Sequence, residues 1–200
     1  SSFNINYLDV QESINDGNPD DGTDGGENII SLPGRLEVED YVRYLDSTPG
    51  NTGGAYRNED VDIQVTSDIG GGFNIGWVSA GEQLEYSVTV TQTAFYNFTL
   101  RMASGSTGSK TAELFVDGAK VGEFTLTNSD GWQSWHNVSL NPIELTEGVH
   151  TLRLHMKDSS FNINYLRATI TEPPAPEVPI QERDWDFYLG DSGEAMDDYE

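Results

Sequence analysis

Gln83 to Val90 reads QLEYSVTV, a polar residue followed by an apolar one without a break. A strand sends successive side chains to opposite faces, so this period of two is what a half-buried strand requires. The same pattern extends in both directions from this stretch. Downstream it recurs in YNFTLRMA (96–103), AELFVD (112–117), VGEFTL (121–126), WQSWHNVSL (132–140), HTLRLHM (150–156) and FNINYLRATI (161–170). Upstream it recurs in FNIGWVS (73–79), VDIQVT (61–66) and RLEVEDY (35–41), where Leu36, Val38 and Asp40 alternate with Glu37, Glu39 and Tyr41. These runs are rich in the β-branched and aromatic residues that suit a pleated, half-buried surface. DGAK (117–120), NSDG (128–131) and TEGVH (146–150) separate them as turns. No stretch reads as an amphipathic helix of useful length. Many short strands with turns at regular intervals predict an all-β fold, a β-sandwich of the jelly-roll type.

The octapeptide SSFNINYL occurs twice, as Ser1–Leu8 and as Ser159–Leu166. An identity of this length within one chain predicts a tandem repeat. Residues 1–10 then read as the last strand of an upstream copy, and residues 31–171 as a complete one. Residues 11–30, rich in Asp, Gly and Asn, read as an acidic linker. Residues 172–200 read as a proline-rich linker, EPPAPEVPIQ, followed by an acidic tail.

The chain carries 34 acidic residues against ten Lys and Arg, a net charge of −24. Seven of the acids fall in residues 1–30 and ten in residues 172–200, so the flanks hold much of the excess. Such a chain argues against nucleic acid or an anionic lipid surface as partner, since both need a positive field. There is no cysteine, which removes disulfide and thiolate chemistry. No apolar run is long enough for a transmembrane helix.

In order, RLEVEDY (35–41), GGAYR (53–57), NIGWVSAGEQLEYSVTV (74–90), YNFTLRMASG (96–105), GWQSWHNVSL (131–140), GVHTLRLHM (148–156) and FNINYLRATI (161–170) resemble a family 6 carbohydrate-binding module. The resemblance covers residues 35–170. It implies a β-jelly-roll that binds sugar without catalysis. Modules of this kind are appended, often in tandem, to secreted enzymes that degrade plant or marine polysaccharides. A secreted, extracellular setting and a monomeric module within a multidomain chain are therefore expected.

Trp77 and Trp132 lie beside glycines at the edges of apolar strands. An indole offers a flat platform for the apolar C–H face of a sugar ring, at low entropic cost. Taken alone, each reads more readily as a core tryptophan. The resemblance puts Trp132 on a loop and an aromatic at the position of Trp77, which favours sugar contact. Trp135, at an odd offset from Trp132, is assigned to packing. The resemblance also implies that Asn162 reaches sugar hydroxyls at the floor of the cleft, where an amide both donates and accepts. Asn164 is a weaker candidate on the same strand face. Asn74 and Asp68 flank the Gly70–Gly72 loop and are candidates for one wall of the cleft. Tyr56 and Arg57 read as flanking or structural. Glu37 and Glu39, set on one strand face, correspond to acids that help hold a structural calcium ion in the family. Some members add an Asp late in the last strand, where this chain has Thr169.

Acids are so abundant that a carboxyl pair for hydrolysis can be found anywhere, which makes abundance uninformative. His136, His150 and His155 show no metal-ligand spacing, and no Ser-His-Asp order stands out. A non-catalytic polysaccharide-binding module is the expected function, with a glycoside hydrolase as the expected parent. Agarose or a similar algal galactan is the expected target, ahead of β-1,3-glucan or xylan. A spacer sandwich without a sugar site is the competing reading, separated from the first by whether Trp77 and Trp132 are exposed.

Overall fold

The computed structural model describes residues 30–175. Its strands, in chain order, are β1 (Ile30–Leu32), β2 (Gly34–Glu37), β3 (Arg43–Leu45), β4 (Ile63–Val65), β5 (Phe73–Ile75), β6 (Gln83–Val90), β7 (Ala94–Ser104), β8 (Lys110–Val116), β9 (Ala119–Leu126), β10 (Gly131–Ser139), β11 (Ile143–Leu145), β12 (Gly148–Met156) and β13 (Asn162–Thr171). Among the described residues a single 3-10 turn, Val38–Asp40, interrupts them. Among the described residues no helix is long and apolar enough to cross a membrane. The reading of residues 1–10, 11–29 and 176–200 as upstream strand, linker and tail lies outside the described residues.

The strands form two sheets. One runs β1–β6–β12–β8–β9, with β3 also on β6; the other runs β10–β7–β13–β5–β4, with β11 on β7 and β2 on β13. The pairing of β1 with β6 is parallel. The alternation of QLEYSVTV is the reason β6 sits as it does: Leu84, Tyr86, Val88 and Val90 are all buried, and the residues between them are half-exposed. Tyr96, Phe98, Leu100 and Met102 of β7 supply the same stripe from the other sheet. Leu152, Leu154 and Met156 of β12 join Ile163, Leu166 and Ala168 of β13 in the one hydrophobic cluster between the sheets. The architecture is the expected all-β sandwich. The β8–β9 hairpin turns at Asp117 and Gly118, both with positive φ, as a two-residue turn matched to strand twist requires.

Three readings need correction. The alternation predicted for residues 35–41 stops at Glu37, because Val38–Asp40 coils into the 3-10 turn and buries Val38 and Glu39 together. Glu37 and Glu39 therefore do not share a strand face. FNIGWVS is a strand only to Ile75, and VDIQVT only over Ile63–Val65. Trp77 consequently stands in a turn rather than in a strand. The short strands β1, β3 and β11 carry three residues each, too few to show a period.

Two irregularities shape one end of the seven-stranded sheet. In β10, five residue steps from Gly131 to His136 oppose two steps on β7, from Ser104 to Met102. In β13, three steps from Ile163 to Leu166 oppose two, from Met102 to Leu100. Bulges of this kind leave residues unpaired and re-aim their side chains. Both fall against the last residues of β7.

Candidate functional site

At that end of the sandwich a cleft of about 420 Å³ is lined by Gln64, Trp77, Val78, Ser79, Trp132, Ser159, Ser160 and Asn162. Trp77 and Trp132 are 51% and 49% exposed, which is incompatible with core tryptophans and leaves about half of each residue available to a ligand. No lining side chain is charged or a ready acid or base at neutral pH.

Trp77 reaches the cleft through strained backbone. Its φ is +49°, in the left-handed region, where a bulky L-residue costs about 1–2 kcal/mol. Ser160, which also lines the cleft, has φ +67°. Strain of this kind persists only where neighbours over-determine it. Here the Gly76 amide donates to the Asp62 carbonyl at 2.9 Å, the Ser160 amide to the Val78 carbonyl at 2.8 Å, and the Ala80 amide to Ser159 Oγ at 2.8 Å. The two segments that supply Trp77 and Ser160 are thus laced together.

Trp132 is the first residue of the β10 bulge. Its indole lies against the backbone of Gly105, where an added Cβ would stand 2.8 Å from Nε1, so a side chain there would displace the indole. The carbonyl of Trp132 accepts a 2.6 Å hydrogen bond from Asn162 Nδ2. Asn162 is 2% exposed and forms the floor. Its Oδ1 and the Gln64 Nε2 converge on Gly76, whose missing Cβ would sit 3.1 Å from each. The floor is therefore made of two amides, which together present both donor and acceptor character to a hydroxyl-rich ligand.

The structure brings Trp77, Trp132 and Asn162 together at the cleft and places the other candidates elsewhere. Asn74 is fully buried; its Nδ2 donates to the Ile75 carbonyl at 3.2 Å, and its Oδ1 accepts from Gln133 Nε2 at 3.1 Å. Asp68 does not line the cleft. Arg101 grips its carboxylate with two bonds, Nε to Oδ2 at 2.9 Å and Nη2 to Oδ1 at 2.8 Å, and Asn164 Nδ2 adds a third at 2.9 Å. The Arg101 hydrogen bonds hold the Asp68 carboxyl below its usual range. Both residues read in the sequence as candidates for one wall of the cleft and are instead structural ties. Asn164 is buried beside Asp68, with Oδ1 unpartnered. Trp135 is half-buried, its Nε1 3.3 Å from Gln133 Oε1. Tyr56 is exposed and packs at a tilt against Phe73 at 5.0 Å between ring centroids, and the Arg57 guanidinium lies 4.2 Å above Tyr41; neither lines the cleft. Gln64, Ser79, Ser159 and Ser160 are lining residues that the sequence reading passed over. The signal for the two serines was present, because they open the repeated octapeptide.

The pair read as calcium ligands fits a cation only in part. Glu39 is 4% exposed and its Oε2 has no partner. Burial pushes its carboxyl up to about 7, which marks a carboxylate short of positive charge. Glu37 is already satisfied by Arg35, whose Nη2 donates to Oε2 at 2.8 Å. Among the described residues no three His, Cys, Asp or Glu side chains gather as a metal-sized cluster.

The family model for carbohydrate binding module (family 6) matches residues 55–169. The clotting factor G alpha subunit of Tachypleus tridentatus is 27% identical over 111 residues, 54% of this chain and 16% of that protein. The 1,6-alpha-glucosyltransferase of Sporosarcina globispora is 27% identical over 179 residues, 77% of this chain and 14% of that protein. The chain thus spans a small fraction of the curated relatives it matches. Among solved structures, a β-1,3-glucan-binding family 6 module from Bacillus halodurans superposes with a TM-score of 0.55 at 25% identity, covering 70% of this chain and 98% of that one.

Proposed function

The chain belongs to the family 6 carbohydrate-binding modules, which bind without catalysing, and from that premise we propose that its cleft holds a sugar unit of a neutral polysaccharide. The observation that carries the reading is the lining itself: two half-exposed indoles above two floor amides, with no charged side chain among them. Indole faces suit the C–H surface of a pyranose, and the amides suit its hydroxyls. A ligand rich in sulfate or uronate would find no cation there. β-1,3-Glucan is supported as target by the Bacillus halodurans module. Agarose is supported by the acidic composition, which suits a secreted protein of a salty setting. In either case the module would hold an attached polysaccharide-degrading enzyme at its substrate outside the cell. Such an arrangement acts by raising local concentration, and further copies would add avidity through their linkers.

The test is affinity gel electrophoresis against laminarin, agarose, xylan, cellulose and mannan, with Trp132→Ala run beside the wild type. A buried aromatic anchor contributes at least about 2 kcal/mol, or roughly thirtyfold in affinity. Retardation on one polymer, lost in the variant, is the expected result. Wild-type mobility unchanged on all five, or equal retardation of the variant, would overturn the reading.

A structural calcium ion at Glu39 is a separate proposal, supported by the buried oxygen without a partner. Glu37 enters such a site only by releasing Arg35. Calcium in hundredfold excess over its dissociation constant would add about 2.7 kcal/mol of stability. Thermal unfolding with calcium and with chelator should therefore separate in the wild type and coincide in Glu39→Gln.

A further inference from the structure

Gln133 follows Trp132 within the β10 bulge and does not line the cleft. Both ends of its amide are nonetheless engaged. Oε1 accepts from the Ser67 amide at 2.9 Å, with Thr66 Oγ1 and Ser67 Oγ each at 3.3 Å, and Nε2 donates to Asn74 Oδ1 at 3.1 Å. Asn74 pairs across β5 and β4 with Gln64, a floor residue, and Trp77 stands just beyond the end of β5. The side chain next to one indole is therefore bonded to the segment that carries the other.

This connection matters because the bulge residues have no ladder partners on β7. Three contacts fix Trp132 in place of a ladder: the Asn162 bond to its carbonyl, the backbone of Gly105 under its indole, and Gln133. The first two tie it to β13 and to the end of β7. Of the three, Gln133 is the one that hydrogen-bonds to β5, the strand that leads into Trp77. An amide is the group this position needs, since one end must accept from a backbone N–H and the other must donate to an amide oxygen.

We propose that Gln133 is a positioning residue that sets the separation of the Trp132 and Trp77 walls, and through it the affinity for the sugar held between them. The inference rests on the sugar-binding reading of the cleft. It adds that part of the binding energy is controlled by a side chain that never touches sugar, because a clamp loses contact on both faces when its walls drift apart. Gln133→Ala removes every bond of the splint. Gln133→Glu keeps the acceptor for Ser67 but sets a carboxylate oxygen against Asn74 Oδ1.

Two readouts test it on the whole chain. The first needs no sugar: hydrogen exchange at the Ser67 amide and the indole N–H resonances of Trp132 and Trp135. In Gln133→Ala the Ser67 amide should exchange at least tenfold faster and both indole signals should move. In Gln133→Glu, Ser67 should stay protected. The second is affinity electrophoresis in laminarin and in agarose. Here Gln133→Ala should bind at least tenfold more weakly, Gln133→Glu should recover part of the loss, and both should unfold cooperatively. Unchanged exchange and indole signals in Gln133→Ala would overturn the splint, whether or not the wild type binds either polymer. Unchanged affinity despite altered exchange would overturn its control of binding. Equal loss in both variants, with cooperative unfolding gone, would reduce Gln133 to a fold residue and overturn the proposal too. A wild type that binds neither polymer, with the exchange result as expected, would sink the sugar reading for these polymers and leave the splint standing.

Discussion

Trp77 holds its indole at the cleft from a backbone conformation that its own side chain disfavours. Glycine is the residue that adopts φ near +49° without penalty, and alanine is not. The two truncations of Trp77 should therefore separate stability from binding. Both should abolish retention on the polysaccharide gel, because both delete the ring. Trp77→Gly should nonetheless unfold with a free energy about 0.5–1 kcal/mol above that of Trp77→Ala, the left-handed penalty less the extra chain entropy of glycine. Denaturant melts of the two variants check this, and an alanine variant as stable as the glycine one would show the turn to be unstrained. The three residues found at the cleft, Trp77, Trp132 and Asn162, were legible because each lies in a segment that resembles the family. Gln64 was not, because in VDIQVT it occupies the polar half of an alternation, which reads as a solvent face. Asp68 and Asn74 misled for the opposite reason. A short polar residue beside three glycines looks free to face a ligand, and nothing local reveals an arginine 33 positions away that takes up its charge.

Strands β6, β7, β12 and β13 were legible because they are long and one-sided, so their period survives reading from sequence. The bulges of β10 and β13 were not, because an extra residue changes register only against a partner, and the partner is remote in sequence. Yet these irregular stretches build the site, and the 66–72 loop beside them has no regular pairing. What fixes that loop to β7 and β13 is the Asp68 carboxylate, with Arg101 and Asn164 upon it. The sign of its pH dependence follows from the Asp68 pKa, which is lowered by Arg101. A carboxyl lowered on folding contributes stability that is complete above its unfolded value, about 3.9, and is lost as pH falls through the folded value. Wild-type stability should accordingly decline on acidification below about pH 4. Asp68→Asn leaves Arg101 mostly buried without its counter-charge, a loss of roughly 3 kcal/mol at neutral pH. Its melting temperature should be lower at pH 7 and should change less between about pH 4 and pH 2.5 than that of the wild type. Parallel acid limbs for the two proteins would show that the ion pair does not anchor the loop.

At the scale of the molecule the charge and the site part company. The chain carries a net charge of −24, yet its cleft is lined only by neutral side chains. Self-repulsion among the acids acts on the folded state over a distance set by screening, about 10 Å at 0.1 M salt and about 3 Å at 1 M. Stacking and hydroxyl–amide hydrogen bonds carry no net charge, so they are indifferent to the same screening. Raising salt from about 0.02 M to about 0.5 M should therefore raise the melting temperature while leaving the dissociation constant for laminarin or agarose within about twofold. An anionic polymer separates this account from one in which the whole surface governs recognition. Repulsion by the protein's field should keep a sulfated galactan away at low salt, and screening should weaken that repulsion as salt rises. Neutral-polymer affinity that climbs steeply with salt would mean that the acidic surface, and not the two tryptophans and two amides, decides what the cleft receives. Affinity that stays level, on a protein whose stability visibly does not, would place recognition in the cleft alone.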